Sequence, residues 1–132
     1  MHSPINAHDK LALGWRARVP MVLQTEAAEC GLACLAMLCG YHGAATEISE
    51  LRRRLSVSLK GVNLADLVGM AERVGFASRP LRLELDELSE LRLPCILHWD
   101  MNHFVVLKSV GRDSVVIHDP AVGVRRLPMA AV

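Results

Sequence analysis

This chain of 132 residues has no charge imbalance, no long apolar run and no paired cysteine spacing. Fifteen basic residues against fourteen acidic ones leave a formal net charge of +1, which removes the electrostatic footprint of a nucleic-acid binder. A polybasic or acidic tail is missing too. Arg52-Arg53-Arg54 is only a local cluster, expected on the solvated face of an amphipathic helix. The longest apolar run, Leu32 to Cys39, is far below the roughly 18–20 residues that span a bilayer. Met1 to Lys10 lacks the basic start and apolar core of a signal peptide. Of the four cysteines, Cys30, Cys34 and Cys39 fall on one expected helix, where i to i+4 spacing places side chains poorly for a disulfide. A reducing compartment and a soluble, cytosolic domain are therefore expected. The sequence shows no internal repeat and no low-complexity tract.

What the chain does have is apolar content, at 52% of residues, enough for one sizeable core. Residues 1–19 read as a loosely attached arm closed by Pro20, and residues 20–132 as the domain. A short extended piece over 21–24 leads to a helix from Glu29 or Cys30 to Cys39, apolar nearly all round and stopped by Gly40. Thr46 is expected to cap a second helix with Ile48, Leu51 and Leu55 on one face, and Asn63 a third that ends near Gly75. Phe76 to Leu83 reads as a strand interrupted by Pro80, and Asp86 caps a short helix through Leu91. After Pro94 the pattern turns to β: Cys95 to Trp99, His103 to Val110, Val115 to His118 and Val124 to Leu127. Helices first and antiparallel strands second give an α+β fold, with the Cys30 helix packed on the sheet.

The chemistry-bearing stretch is Gln24-Thr25-Glu26-Ala27-Ala28-Glu29-Cys30. A helix N-terminus carries partial positive charge and unpaired N–H groups, so a cysteine there is biased toward thiolate and stands beside oxyanion donors. Gln24, on the approach loop, can turn its amide toward the same oxyanion. A nucleophilic cysteine also needs a base and a group to orient that base. Among the six histidines, His103 opens the most apolar strand, and Asp119 closes the partner strand. Taken singly, Cys30 also suits a buried small hydrophobe, His103 a structural histidine and Asp119 a turn residue before Pro120. Cys34, Cys39 and Cys95 read as core. A metal site from Cys30 and Cys34 with His98 or His103 lacks the paired short spacings of structural zinc.

The hairpin between the two strands decides whether His103 and Asp119 meet. A regular even register facing Val110 with Val115 puts them on opposite faces; a three-residue loop or a bulge near Gly111 puts Asp119 opposite Val105, diagonal to His103.

Gln24 to Met37, with Cys95-Ile96-Leu97-His98-Trp99, His103-Phe104-Val105-Val106-Leu107 and His118-Asp119-Pro120-Ala121, resembles the C39 peptidase domain of bacteriocin-processing ABC transporters, the colicin V (microcin) type above all. The resemblance covers about residues 12 to 130. It implies a papain-like fold on the cytoplasmic face of the bacterial inner membrane, joined to transmembrane and ATP-binding domains and cleaving a leader peptide after a Gly-Gly or Gly-Ala pair. It assigns Cys30 as nucleophile, His103 as base and acid, Asp119 as orienting residue, and Gln24 with the Cys30 N–H as oxyanion hole. Leaders of the family bind as amphipathic helices, for which Leu55, Val57, Val62, Leu64, Leu67 and Met70 are the candidate groove residues. Relatives that only dock the leader lack the cysteine; such docking is the alternative function. No cofactor is expected for the domain. Some relatives need calcium, but Asp100 and Asn102 offer two side chains toward the six to eight oxygens calcium takes.

Overall fold

The computed structural model describes residues 18–25, 27–44, 46–55, 62–76, 88, 90–99 and 103–129. A turn of 3-10 helix, Ala27–Glu29, leads into α1, Cys30–Tyr41; α2 is Ile48–Leu55 and α3 is Leu64–Arg73. Four strands follow, β1 Cys95–Trp99, β2 His103–Val110, β3 Ser114–Asp119 and β4 Gly123–Pro128. They form one antiparallel sheet in the order β1-β2-β3-β4.

The apolar sequence of α1 makes it the central element, because a helix without a polar face has to be covered on all sides. Leu32, Leu35 and Met37 are fully buried, and Cys30, Leu51, Leu55, Leu67, Met70, Phe104 and Val106 share their cluster. Each large side chain removed from water contributes roughly 1.5–3 kcal/mol. Alternate residues of β2 point the other way, where Val105 and Leu107 meet Val115, Ile117 and Leu88 in a second cluster. The sheet is thus covered on both faces along β2, as its unbroken apolar run requires.

Several boundaries differ from the sequence reading. α1 continues through Gly40 to Tyr41, because Gly40 serves a contact and not a stop: a Cβ there would lie 2.6 Å from Pro20 Cγ. The left-handed turn falls later, at Gly43, with φ of 87°. Thr46 does not cap α2; its hydroxyl donates to Ala44 O at 2.8 Å, and the Leu51 N–H bonds to Glu47 O instead. The Asn63 cap is present as a capping box, with Asp66 N–H donating to Asn63 Oδ1 at 2.8 Å and Asn63 N–H to Asp66 Oδ2 at 3.2 Å. Most of the expected strand 76–83 and of the short helix after Asp86 lies outside the described residues; Phe76 itself is not in a strand. Residues 1–17 of the arm also lie outside them, and Val19, assigned to that arm, packs against the core.

Candidate active site

The reactive geometry begins at the end of α1. Cys30 is its first residue and is 7% exposed, so the sulfur sits where the helix dipole is positive and its backbone is held by the most buried helix. Gly31 keeps that end close to the sheet. A Cβ at Gly31 would lie 3.3 Å from Phe104 Cδ2 and 3.4 Å from Leu67 Cδ1. The residue after the thiol therefore lies against the residue after His103, on the adjoining strand β2.

His103 opens β2 and Asp119 closes β3, and their side chains meet: Nε2 lies 2.7 Å from Asp119 Oδ1. The register explains the contact. Val110 does face Val115, but the pairing slips between Leu107 and Ser109, so that Leu107 faces Ile117 and Val106 faces His118. Lys108 is the extra residue, and beyond it Asp119 falls opposite Val105, diagonal to His103. The bulge needed for the pairing is present, inside the strand and not near Gly111.

Asp119 is buried, and its Oδ1 also accepts from Ala121 N–H at 3.0 Å, while Arg125 Nη1 lies 3.8 Å from Oδ2. An aspartate acting as acceptor fixes the proton of the ring on Nε2 and makes Nδ1 the basic nitrogen. Cys34 lies one turn along α1. Its pKa is raised well above the ordinary value, first by burial and then by the charges of Cys30 and Asp119. Gln24 is anchored from the same turn: its N–H donates to Pro120 O at 2.9 Å.

The other cysteines are held as thiols. Burial raises the pKa of Cys39 and pushes Cys95 up to about 11. Among the described residues no group of three or more His, Cys, Asp or Glu side chains is arranged to hold a metal ion; Asp100 and Asn102 lie outside them, and His98 stacks on Phe104 with ring centroids 4.6 Å apart.

The groove candidates separate. Leu55, Met70 and Leu67 all belong to the core, of which Leu67 alone also reaches the cavity wall, and Val62 packs against that core. Val57 lies outside the described residues. Leu64 and Leu67, with Val68, Leu38, Ile96 and Phe104, line an apolar cavity of about 290 Å³ between α1, α3 and the sheet. Its other walls, to which Leu35, His42, Phe76, Cys95 and His98 contribute, were not anticipated, since residues so distant in sequence give no local signal.

Arg52 is the second surprise. Instead of a solvated face, its guanidinium forms an ion pair through Nε with Oε2 of buried Glu29, donates to Oε1 at 2.9 Å and donates to Thr25 Oγ1 at 2.8 Å. Neighbouring Arg53 does stay solvated, 78% exposed and 3.9 Å from Glu50.

Known proteins resemble this chain in sequence and in fold. The model of the peptidase C39 family matches residues 18–132. The chain is 56% identical over 119 residues to the probable microcin-H47 secretion/processing ATP-binding protein MchF of Escherichia coli, covering 90% of this chain and 17% of that one. It is 56% identical over 115 residues to the colicin V secretion/processing ATP-binding protein CvaB of Escherichia coli, covering 87% and 16%. The chain thus spans about a sixth of the length of these relatives. Among solved structures, a double glycine motif protease from an AMS/PCAT transporter in complex with the leader peptide superposes with a TM-score of 0.78 at 38% identity, over 87% of this chain and 83% of that one. The peptidase domain of Streptococcus ComA shares the fold, with a TM-score of 0.76 at 24% identity over 86% and 89%.

Proposed function

Because the chain belongs to the peptidase C39 family, we propose that it is the cysteine endopeptidase that removes a leader peptide after a Gly-Gly or Gly-Ala pair from a bacteriocin or microcin precursor, coupled to export by an ABC transporter. The observation that carries this reading is the 2.7 Å pairing of His103 with Asp119 beside the helix end that bears Cys30.

The steps follow from the groups present. Nδ1 of His103 takes the Cys30 thiol proton, and the thiolate attacks the carbonyl carbon of the second leader glycine. The oxyanion that develops is received by the Gln24 side-chain amide and the Cys30 backbone N–H, aided by the positive end of α1. Asp119 holds Nε2–H throughout, so Nδ1 faces the reaction and the imidazolium is stabilised when it forms. That imidazolium gives its proton to the departing amine; a water deprotonated by Nδ1 then opens the thioester and frees the leader. Glycines without Cβ atoms suit a narrow cleft, and recognition falls to the apolar cavity beside Leu64 and Leu67, which fits side chains of an amphipathic leader helix.

The partners in this reading are the leader peptide and the transmembrane and nucleotide-binding domains of a transporter, with the domain on the cytoplasmic face of the membrane. No helix among the described residues is long and apolar enough to cross a membrane, which suits a domain carried outside the bilayer. The test is incubation of the chain with a double-glycine leader peptide, comparing wild type with Cys30→Ala, with and without a chelator. Cleavage by wild type alone, with binding retained in the variant and no effect of the chelator, is expected. Binding without cleavage by either form would replace the peptidase with a docking domain, and chelator-sensitive cleavage would bring calcium into the site.

A further inference from the structure

The residue in front of Cys30 is a carboxylate, an unfavourable neighbour for a thiolate. Glu29 is 3% exposed, so a carboxylate is buried at the residue next to the thiol. It also stands at the N-cap of α1, from which an acidic side chain ordinarily reaches the first N–H groups of its helix. Here the side chain makes no cap hydrogen bond. It turns to α2, where Arg52 binds both of its oxygens and Thr25 donates to Oε1 at 2.6 Å. Arg52 reaches the same Thr25 hydroxyl, which closes a three-membered clamp between α2 and the loop carrying Gln24.

We propose that Arg52 is a positioning residue for the peptidase reaction. It cancels the charge of Glu29 beside Cys30, keeps the N-cap carboxylate off the N–H groups that receive the oxyanion, and through Thr25 fixes the residue next to Gln24. The proposal rests on the reading of Cys30 as nucleophile. The planar guanidinium is suited to the task because it meets both carboxylate oxygens at once, which an ammonium does not. Among the described residues, the other titratable groups toward this end of α1 are His103 on β2, Asp119 on β3 with Arg125 beside it, and Cys34 one turn along the helix. α3 brings the apolar Leu67 against Gly31. Arg52 is thus the cation that α2 supplies to the nucleophile's own loop.

Two readouts separate this role from simple packing: the pH profile of Cys30 alkylation by iodoacetamide, followed by peptide mapping, which needs no substrate, and the kinetics of leader cleavage. Arg52→Gln is expected to move the alkylation profile up by about one pH unit. It is also expected to lower kcat at least about tenfold while KM changes little. The double variant Glu29→Gln/Arg52→Gln returns the profile to that of wild type, because both charges are gone. Arg52→Lys keeps the profile and lowers kcat, because charge is retained and the fork is lost. Should Arg52→Gln fail to fold, Glu29→Gln alone carries the test with opposite sign, moving the profile down. An unchanged profile in the single variants overturns the proposal, as does a double variant that stays shifted like Arg52→Gln. A wild type that cleaves no leader, with the profile shifts intact, refutes the peptidase function and leaves the clamp in place.

Discussion

Asp119 serves three neighbours with two oxygens, and the order among them fixes what its loss does. Oδ1 takes the short bond to His103 and the Ala121 N–H, while the longer Arg125 contact falls on Oδ2 at the exposed rim. In Asp119→Ala the ring of His103 loses its acceptor at Nε2 and the turn loses an acceptor for Ala121. The expected result, on the proposed peptidase function, is a fall in kcat for leader cleavage of at least about a hundredfold with KM nearly unchanged, since in that reading the carboxylate orients the base and does not touch the leader. Asp119→Asn keeps a carbonyl oxygen that can accept from Nε2–H, and steady-state kinetics should place it between alanine and wild type. Equal rates for the two variants would mean that charge, and not orientation, is what Asp119 supplies. The same scale separates the four cysteines: burial raises the pKa of Cys34, Cys39 and Cys95, so selective alkylation at neutral pH should fall on Cys30.

At the scale of elements, two glycines hold α1 at its two ends, and they hold it for different purposes. Gly31 lets the thiol end approach Phe104 and Leu67; Gly40 lets the far end approach Pro20. In Gly31→Ala the contacts of 3.3 and 3.4 Å can be relieved by a small shift, and alanine favours the helix, so stability should change by less than about 1 kcal/mol. The shift is taken at Cys30, however, and leader cleavage should fall more than stability does. Gly40→Ala sets a Cβ 2.6 Å from a proline ring that cannot rotate away, with an expected loss of about 2 kcal/mol in denaturant unfolding. Its site is ten residues and about 15 Å from the thiol, so activity per folded molecule should be kept. The reverse ranking of the two variants would show that helix position and catalysis are not coupled in this way. The sequence made α1, the Asn63 cap and all four strands legible, and marked Cys30, His103 and Asp119 as candidates, because each carries a local mark: periodicity, a capping residue, an apolar run, or a chemical group at an element's end. It hid the Lys108 bulge, since a strand with an extra residue has the same composition as one without. It hid Arg52 pairing with Glu29 for a related reason: 23 residues separate them, and a basic residue on an amphipathic helix looks solvated until its partner is folded beside it. Gly40 was misread because a glycine near a helix end signals a stop unless the proline it packs on is known.

For the whole molecule, the segment from Arg18 to Thr25 acts as a strap across helix and sheet, and a histidine fastens it. Pro20 lies on Gly40 at the end of α1, and its carbonyl oxygen accepts from Nδ1–H of His118 at 3.2 Å; Gln24 is then tied to Pro120. His118 lies on the face of β3 opposite that of its neighbour Asp119, so adjacent residues serve the strap and the catalytic pair separately. Buried at 2% exposure, its ring is held neutral: desolvation lowers its pKa from 6.5, and the charge of Lys108 adds to that against the Pro20 bond. His42 is lowered as well, by burial first. For groups with folded pKa values below their unfolded ones, the unfolded chain binds protons first as pH falls. Stability is therefore full above about pH 6.5 and declines below it as the unfolded histidines charge. Denaturant midpoints should fall between pH 7.5 and pH 5.5, values spaced about one unit on either side of that pKa. In His118→Asn the amide N–H can still reach Pro20 O, but nothing titrates there. That variant should be less stable than wild type at the upper pH, from the packing lost, and should lose less on acidification. Because the strap carries Gln24 to the site, the wild type should lose cleavage activity in parallel with the midpoint as the pH falls, while an equal acid slope in His118→Asn would place the pH sensitivity elsewhere than on the strap.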